Sequence, residues 1–375
     1  MNTAIYALTG DPLTRGHINI VERALRVFDK VLVAIGMNDA KKTLFSLKER
    51  EDMARAILYS YGDRIEVKSF EGMLVDFAYE NNIRTLIRGV RSSSDFDYER
   101  LLNDVNHYQG LGVDTFVLIT DPKLSHVSSS AAKSIILNSG KNILDYVPLY
   151  AKRKLEEKMT GQYRIGITGE IASGKSYISS QFQKFRDRVE VHTINLDEIG
   201  RYILSVGDEP QFKKIRQDVG TRFCLKSFSN IEDIKKLSSI IFENAEALED
   251  FNKIMFEPMS LQIRKSLRNL KGLVIIESAL FVELKFMDIV NNNIILVNVN
   301  RDEQIFRMKK RGYDDEMIKN RLKAQWTFKE KLFSIQDTEL FYGGSHWIID
   351  NNCSTLGPID YINQIIQDVF TFFNF

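Results

Sequence analysis

Arg164-Ile165-Gly166-Ile167-Thr168-Gly169-Glu170-Ile171-Ala172-Ser173-Gly174-Lys175-Ser176 reads as a strand, a glycine-bounded loop and the first residues of a helix. The loop has the spacing Gly-x4-Gly-Lys-Ser, and helical periodicity follows it over residues 175–185. In that setting successive backbone N–H groups cradle phosphate oxygens, the lysine reaches the β/γ oxygens and the hydroxyl ligates Mg²⁺. Gly169, Ala172, Ser173 and Gly174 are the expected cradle, Lys175 the expected cation and Ser176 the expected metal ligand. A strand that feeds a helix in this way belongs in a parallel sheet with right-handed crossovers.

A second phosphate signature, of different design, lies upstream. Asp11-Pro12-Leu13-Thr14-Arg15-Gly16-His17 follows the apolar run Ala4-Ile5-Tyr6-Ala7-Leu8. Short apolar runs at 5–8, 31–35, 65–67, 85–87 and 115–119 alternate with helical periodicity such as 18–28 and 47–60. Ser46 and Glu49 form a capping box at the start of the latter. The alternation predicts another parallel sheet covered on both faces, with ligands beyond the carboxyl ends of its strands. The residues at those ends are Thr9 to His17, Lys41 and Lys42, residues 88–99, and Ser128-Ser129-Ser130. His17 would stand in the first turn of a helix, where N–H groups and the dipole favour an anion. Its imidazole can donate to a phosphate oxygen as charge grows there, and Gly16 leaves room for that phosphate. Lys41 or Lys42, and Arg88 with Arg91, supply cations for a triphosphate. The serine cluster opens a helix over 131–137, either as its cap or as a further anion site.

Beyond the loop, Thr160-Gly161-Gln162 marks a short link, giving domains 1–158 and 163–375. Asp197 ends the strand-like run 189–196. It is either a base that deprotonates an acceptor hydroxyl or the N-cap of a helix over 199–204. Gln304, Arg307, Lys310, Arg311 and residues 321–325 read either as a cationic lid or as ordinary solvated faces. The 51 basic and 50 acidic residues leave a net charge of +1. No excess of either sign therefore points to nucleic acid or an anionic membrane; small-molecule substrates are what the resemblances below imply. The two cysteines, Cys224 and Cys353, are too few for a disulfide framework and are expected to be small buried apolar residues. No apolar run reaches the length of a membrane span and no basic-then-apolar leader opens the chain, so a cytoplasmic protein is expected.

Residues 4–150 resemble bacterial phosphopantetheine adenylyltransferases, nucleotidyltransferases of the Thr/His-x-Gly-His superfamily. The resemblance rests on Ala4-Ile5-Tyr6, Thr9, Asp11 to His17, Lys41-Lys42, Phe45, Leu47 and Glu49-Arg50. It continues through Ile87-Arg88-Gly89-Val90-Arg91, Asp95-Phe96-Asp97-Tyr98-Glu99 and Val127-Ser128-Ser129-Ser130. It implies a Rossmann-like fold and direct attack of a substrate phosphate on the α-phosphorus of ATP, giving dephospho-coenzyme A and pyrophosphate. His17 and Thr9 would hold the phosphates, Lys41 and Arg88 the attacking phosphate, and Arg91, Glu99 and Ser129 the ATP. The pantetheine arm would lie along Met73-Leu74. Commonly such proteins are hexameric, so a homo-oligomer through residues 1–158 is expected. Gly10 and Ser134 depart from the pattern, which usually carries a bulky aromatic and a glutamate there.

Residues 163–370 resemble dephospho-coenzyme A kinases. The matching stretches are Gly166 to Ser176, Leu196-Asp197-Glu198-Ile199-Gly200-Arg201, Ile241-Phe242-Glu243-Asn244, Leu280-Phe281-Val282-Glu283, Gln304 with Arg307 and Arg311, Arg321 with Gln325, and Ile348 to Asn352. The resemblance implies a P-loop kinase fold with a helical lid and MgATP-dependent phosphorylation of the ribose 3′-hydroxyl. Asp197 would be the base, Lys175 and Arg307 would stabilise the transferring phosphoryl, and Asn351 and Asn352 would border the adenine. Departures are Glu257-Pro258 for a usual His-Pro, and Ser278-Ala279-Leu280-Phe281 where Pro-Leu-Leu is usual. The basic residues usual after Gln325 appear as Phe328, Lys329 and Lys331, and residues 337–344 are an unusual insertion. The product of the first reaction is the substrate of the second. The alternative is an active adenylyltransferase followed by a catalytically degenerate, nucleotide-binding regulatory domain.

Overall fold

Strands buried on both faces read as continuous apolar runs, and that is how most strands of this protein are built. A computed structural model describes residues 2–37, 42–138, 140, 142–225, 231–352 and 358–375. Lys41 and Cys353 lie outside the described residues. The chain divides into two units, Met1–Met159 and Thr160–Phe375. Among the described residues each unit holds one five-stranded sheet, every pair of neighbours parallel.

In unit 1 the chain alternates β1 (Thr3–Leu8), α1 (Arg15–Ala24), β2 (Lys30–Gly36), α2 (Leu47–Leu58), β3 (Ile65–Phe70), α3 (Leu74–Glu80), β4 (Thr85–Val90), α4 (Ser93–Tyr108), β5 (Asp114–Ile119), α5 (Ser129–Leu137) and α6 (Leu149–Thr160). The strand order is β3-β2-β1-β4-β5. The chain moves outward from β1 to β3, then returns to the far side of β1 for β4 and β5. The order reverses between β1 and β4, and a crevice opens beyond their carboxyl ends at such a point. Ile5 lies level with Leu86 and Tyr6 with Ile87, so the segment after Leu8 faces the segment after Val90. Ser46 and Glu49 form the expected capping box of α2, with Ser46 N–H donating to Glu49 at 2.7 Å.

Unit 2 comprises β6 (Gln162–Thr168), α7 (Lys175–Phe182), β7 (Val191–Asn195), α8 (Leu196–Ser205), α9 (Pro210–Arg222), α10 (Ile231–Glu243), α11 (Ala245–Leu267), β8 (Gly272–Glu277), β9 (Asn293–Asn298), α12 (Arg301–Lys310), α13 (Asp315–Ala324), α14 (Phe328–Tyr342), β10 (Ser345–Asp350) and α15 (Pro358–Phe373). The order β10-β9-β6-β8-β7 puts β6 at the centre. The register aligns Ile167 with Glu277 and Glu277 with Asn195, so three strands end together around the glycine-rich loop. Residues 337–344, the unusual insertion, include the last turns of α14. Cys224 is exposed rather than buried; it follows the buried Phe223 just past α9, at a φ of 55°, where the chain turns outward.

Helix α7 follows the phosphate loop directly, so its packing fixes the loop's exit. Ile178 and Phe182 are fully buried against β6 and α15, and the Phe182 ring meets Phe370 edge-on at 6.2 Å. Burying one such side chain contributes about 1.5–3 kcal/mol. Truncation adds the cavity left behind, so Phe182→Ala is expected to lower unfolding stability by about 3–5 kcal/mol. A denaturation transition shifted by under about 1 kcal/mol would mean that this contact does not anchor the helix.

Candidate active sites

The unit 1 site is built from the first turn of α1. Thr14 caps the helix, its hydroxyl accepting from the His17 N–H at 3.4 Å. The Thr14 N–H in turn donates to His17 Nδ1 at 3.0 Å. Histidine thus takes the place that glutamate or glutamine usually holds in a capping box. Because Nδ1 accepts, the neutral ring carries its proton on Nε2. Gly16 has ordinary room for a Cβ, 3.6 Å from the Thr14 hydroxyl and 3.9 Å from Val127, so packing does not demand a glycine there.

Long-range contacts gather the other loops around this turn. Buried Asp11 accepts from the N–H groups of Leu44 and Phe45 at 2.8 and 3.0 Å, and pairs with Lys133. Arg50, 2% exposed, donates to the carbonyls of Thr9 and Gly36 at 2.5 and 2.8 Å. It therefore ties the ends of β1 and β2 together. Arg88 and Glu99 form an ion pair at 3.1 Å. Arg91 donates to the Val127 carbonyl at 3.0 Å, and Ser129 to the Pro12 carbonyl at 2.9 Å. Ser128 is the N-cap of α5, accepting from Ala131 at 3.1 Å. Tyr6 is buried beneath the cluster, and burial pushes its hydroxyl pKa up against the pull of Arg88 and Arg91.

Thr9, Gly16, His17, Arg88, Arg91, Glu99, Ser128 and Ser129 therefore stand on the segments that converge at the crevice. Lys42 is exposed. Met73 and Leu74 follow β3, two strands away from β1 on the same edge of the sheet. Met73 is 39% exposed, while Leu74 packs into the core with Phe70 and Phe77.

In unit 2 the loop conformation demands glycine twice. At Gly169, φ is +148° and a Cβ would lie 2.3 Å from the Val297 carbonyl oxygen. At Gly174, φ is +97° and a Cβ would lie 2.1 Å from Asn351 Nδ2. That amide donates to the Ser173 carbonyl at 2.8 Å, so Asn351 supports the cradle. Ala172 has a φ of 59°, and Ser173 is fully buried. Lys175 Nζ turns back to the carbonyls of Gly169 and Glu170, 3.1 Å from each. Burial pulls its pKa down to about 8, against the attraction of Asp197.

Ser176 donates to Glu277 Oε1 at 3.1 Å. Glu277 was not among the residues expected from the sequence. It is 5% exposed, and burial raises its pKa against the hydrogen bond from Ser176 and the charge of Lys175. Asp197 lies in the first turn of α8, but Asn195 is the cap of that helix. The capping alternative for Asp197 therefore falls away. Its carboxylate is open to solvent yet surrounded by protein, which raises its pKa against the pull of Lys175 and Arg201.

The lid residues hold the loop. Gln304 donates to the Ile171 carbonyl at 2.8 Å and to Glu170 at 3.0 Å, and Gln325 accepts from the Ile171 N–H at 2.8 Å. Arg307 donates to the Ala172 and Ser173 carbonyls at 3.3 Å and to the Asn351 carbonyl at 2.9 Å. Lys331, one of the residues standing where basic residues are usual after Gln325, is fully buried, donating to the Ala279 carbonyl at 2.8 Å and paired with Glu283. Arg321 lies over the Tyr313 ring at 4.8 Å, and Glu257 is exposed on α11.

Among the described residues no three His, Cys, Asp or Glu side chains cluster as a metal cage. Sequence reasoning placed neither Arg50, read only as part of the resemblance, nor Lys133 or Glu277 at a site. Arg50 could have been flagged by its place on the buried face of α2 with Met53 and Ala54; the other two carry no local signal.

Comparison with known proteins bears on both units. A dephospho-CoA kinase family model matches residues 163–352, and a cytidylyltransferase-like model matches residues 9–135. The phosphopantetheine adenylyltransferase of Porphyromonas gingivalis is 44% identical over 147 residues, 39% of this chain and 94% of that protein. Those of Carboxydothermus hydrogenoformans and Francisella tularensis subsp. mediasiatica are 41% and 37% identical over 158 and 155 residues. These alignments span 42% and 41% of this chain, and 96% and 95% of those proteins. A crystal structure of TT1252 from Thermus thermophilus covers 56% of this chain and 97% of its own, at a TM-score of 0.42 and 18% identity, too loose a likeness to bear on the fold. With Lys175, Ser176 and Asp197 in place in one unit and His17, Arg88 and Arg91 in the other, the chain is a bifunctional enzyme that belongs to the phosphopantetheine adenylyltransferase family in its N-terminal unit and to the dephospho-CoA kinase family in its C-terminal unit.

Proposed function

We propose that unit 1 transfers the adenylyl group of ATP to 4′-phosphopantetheine, and that unit 2 phosphorylates the ribose 3′-hydroxyl of the resulting dephospho-coenzyme A. The observation that carries this reading is the pairing itself. Each unit matches one of two consecutive reactions, and each presents a phosphate site at the carboxyl edge of its sheet.

In unit 1 the work is positioning and charge stabilisation. The Thr14 N–H holds the His17 ring by Nδ1, so Nε2–H points its proton at a phosphate oxygen as charge develops. Glu99 orients Arg88 for the attacking phosphate, a role we assign to Lys41 as well. Arg91 and Ser129, fixed to Val127 and Pro12, border the ATP, and Met73 with Leu74 takes the pantetheine arm. Helix α4 buries no residue and leaves Phe96, Leu101 and Val105 between 44% and 59% exposed. A face of that kind favours a homo-oligomer through unit 1.

In unit 2 Asp197 takes the proton of the 3′-hydroxyl, and its raised pKa makes it a better base than an ordinary aspartate. Lys175 and Arg307 face the transferred phosphoryl, and Asn351 borders the adenine. Mg²⁺ fits the donor set, since Ser176 offers a hydroxyl and Glu277 a buried Oε2 with no hydrogen-bond partner among the described residues. The ion would neutralise phosphate charge there. Glu257 would set a carboxylate toward an anionic acceptor and alter its binding. The regulatory alternative for unit 2 is disfavoured by the intact Lys175, Ser176 and Asp197. Among the described residues no helix is long and apolar enough to cross a membrane, and we place the enzyme in the cytoplasm with its small-molecule substrates.

A coupled assay with 4′-phosphopantetheine, ATP and Mg²⁺ tests both halves. The wild type should yield coenzyme A. Asp197→Asn should stop at dephospho-coenzyme A, its kinase turnover reduced by about 10²–10⁴-fold. His17→Ala should slow the first step by about 10²–10³-fold. Dephospho-coenzyme A as the wild-type end product would return unit 2 to a nucleotide-binding role, and full turnover in Asp197→Asn would remove its part as base.

Lys175 adds a pH signature. Its pKa in the free enzyme is about 8, and a bound triphosphate favours the ammonium. Above that pH the protein must take up a proton to bind, so MgATP affinity falls as pH rises through about 8. Lys175→Arg stays charged and should lose this slope. Calorimetric titration between about pH 7 and 9 checks it, and a flat wild-type profile would contradict the assignment.

A further inference from the structure

The end of β7 carries a side chain that none of these roles uses. Asn195 Oδ1 accepts from the backbone N–H groups of Asp197 and Glu198 at 2.9 and 3.2 Å. Its Nδ2 donates to Glu277 Oε1 at 2.7 Å. With two N–H donors on one side and a carboxylate on the other, only this orientation of the amide satisfies both neighbours. We propose that Asn195 is a positioning residue of the kinase site, which sets the base Asp197 and the carboxylate Glu277 relative to each other through one rigid amide.

The chemistry requires an amide. An aspartate would still cap α8 but would bring a second carboxylate against Glu277. A serine would also cap the helix, yet it is too short to reach Glu277 at the same time. The register reinforces the link, because Asn195 and Glu277 are paired neighbours at the ends of β7 and β8. Ser278 completes it from the other side. Its N–H donates to the Ile167 carbonyl at 3.1 Å, and its buried side chain favours the ionised Asp197 carboxylate. Asp197 is thereby held from β7 through its backbone and from β8 through its side chain. Glu277, between Ser176 and Asn195, ties that assembly to the first turn of α7 behind the phosphate loop.

The inference rests on Asp197 as base. It is tested on the full-length enzyme with dephospho-coenzyme A and MgATP. Asn195→Ser keeps the cap and removes only the donor to Glu277. It should lower kcat about 10-fold, the effect of losing a hydrogen bond to a charged group, with KM for the acceptor within about twofold. Asn195→Asp should fall further. In a Glu277→Ala background the Asn195→Ser change should add less than about a twofold loss. A second readout needs neither metal nor nucleotide. The thermal midpoint of the free protein should drop by about 2–8 °C in Asn195→Ser and show no further drop in the Glu277→Ala background. Wild-type kcat in both Asn195 variants, or an undiminished loss on top of Glu277→Ala, would overturn the proposal. Failure of the base assignment would appear elsewhere, as wild-type turnover in Asp197→Asn.

Discussion

In a sheet whose strands all run one way, every carboxyl end opens on the same edge. Both units obey that constraint, and both sites depend on it. In unit 1 it brings the segments after β1 and β4 together at the point where the strand order reverses. In unit 2 it brings the loop after β6, Glu277 of β8 and Asn195 of β7 to one level of the register. Covering helices bury the faces and leave only this edge for chemistry. Residues as far apart in sequence as Ser176 and Glu277 become hydrogen-bonded partners because their strands end side by side.

The two edges solve the phosphate problem differently. In the function we propose, unit 1 meets phosphate with side-chain cations such as Arg88, already engaged by a carboxylate, Glu99. Such pairs fix geometry before substrate arrives, which is where electrostatic catalysis gains most. Unit 2, in the same proposal, uses backbone N–H groups and a half-buried lysine. Burial moves Lys175 down and Asp197 up, each opposed by the other's charge. Titratable neighbours whose environments pull them toward each other's range are a common mark of proton-transfer sites.

Much of this architecture was legible in the sequence because its signals are local. The glycine spacing at 169–174, the capping box at Ser46 and Glu49, and the alternation of apolar runs all act within a few residues. Arg50, Lys133 and Glu277 were harder to find because their partners are distant; Lys133 meets Asp11 across 122 positions of sequence. Lys331 shows the opposite failure. Its sequence neighbourhood is charged, as a solvated face would be, yet Glu283 and the Ala279 carbonyl pull it into the interior. Asp197 was ambiguous for a physical reason as well, since an aspartate at the start of a helix suits a cap as well as a base. In the fold Asn195 takes the cap.

The lid of unit 2 also changes meaning once its partners are known. As sequence, Gln304, Arg307 and Gln325 suggested groups that close over phosphates. In the fold they contact the loop itself. Gln304 and Gln325 engage the carbonyl and the N–H of Ile171, Glu170 accepts from the Phe328 N–H at the start of α14, and Arg307 spans Ala172, Ser173 and Asn351. A loop with positive φ at Gly169, Ala172 and Gly174 does not hold its shape by local preference, so the hydrogen bonds that fix it must come from elsewhere. The lid helices supply them. A cradle set in this way reaches the nucleotide already formed, and any movement of α12 or α14 that strains these contacts changes the cradle directly. Helix packing and the shape of the loop in this unit are therefore coupled, with Arg307 joining α12 to the loop.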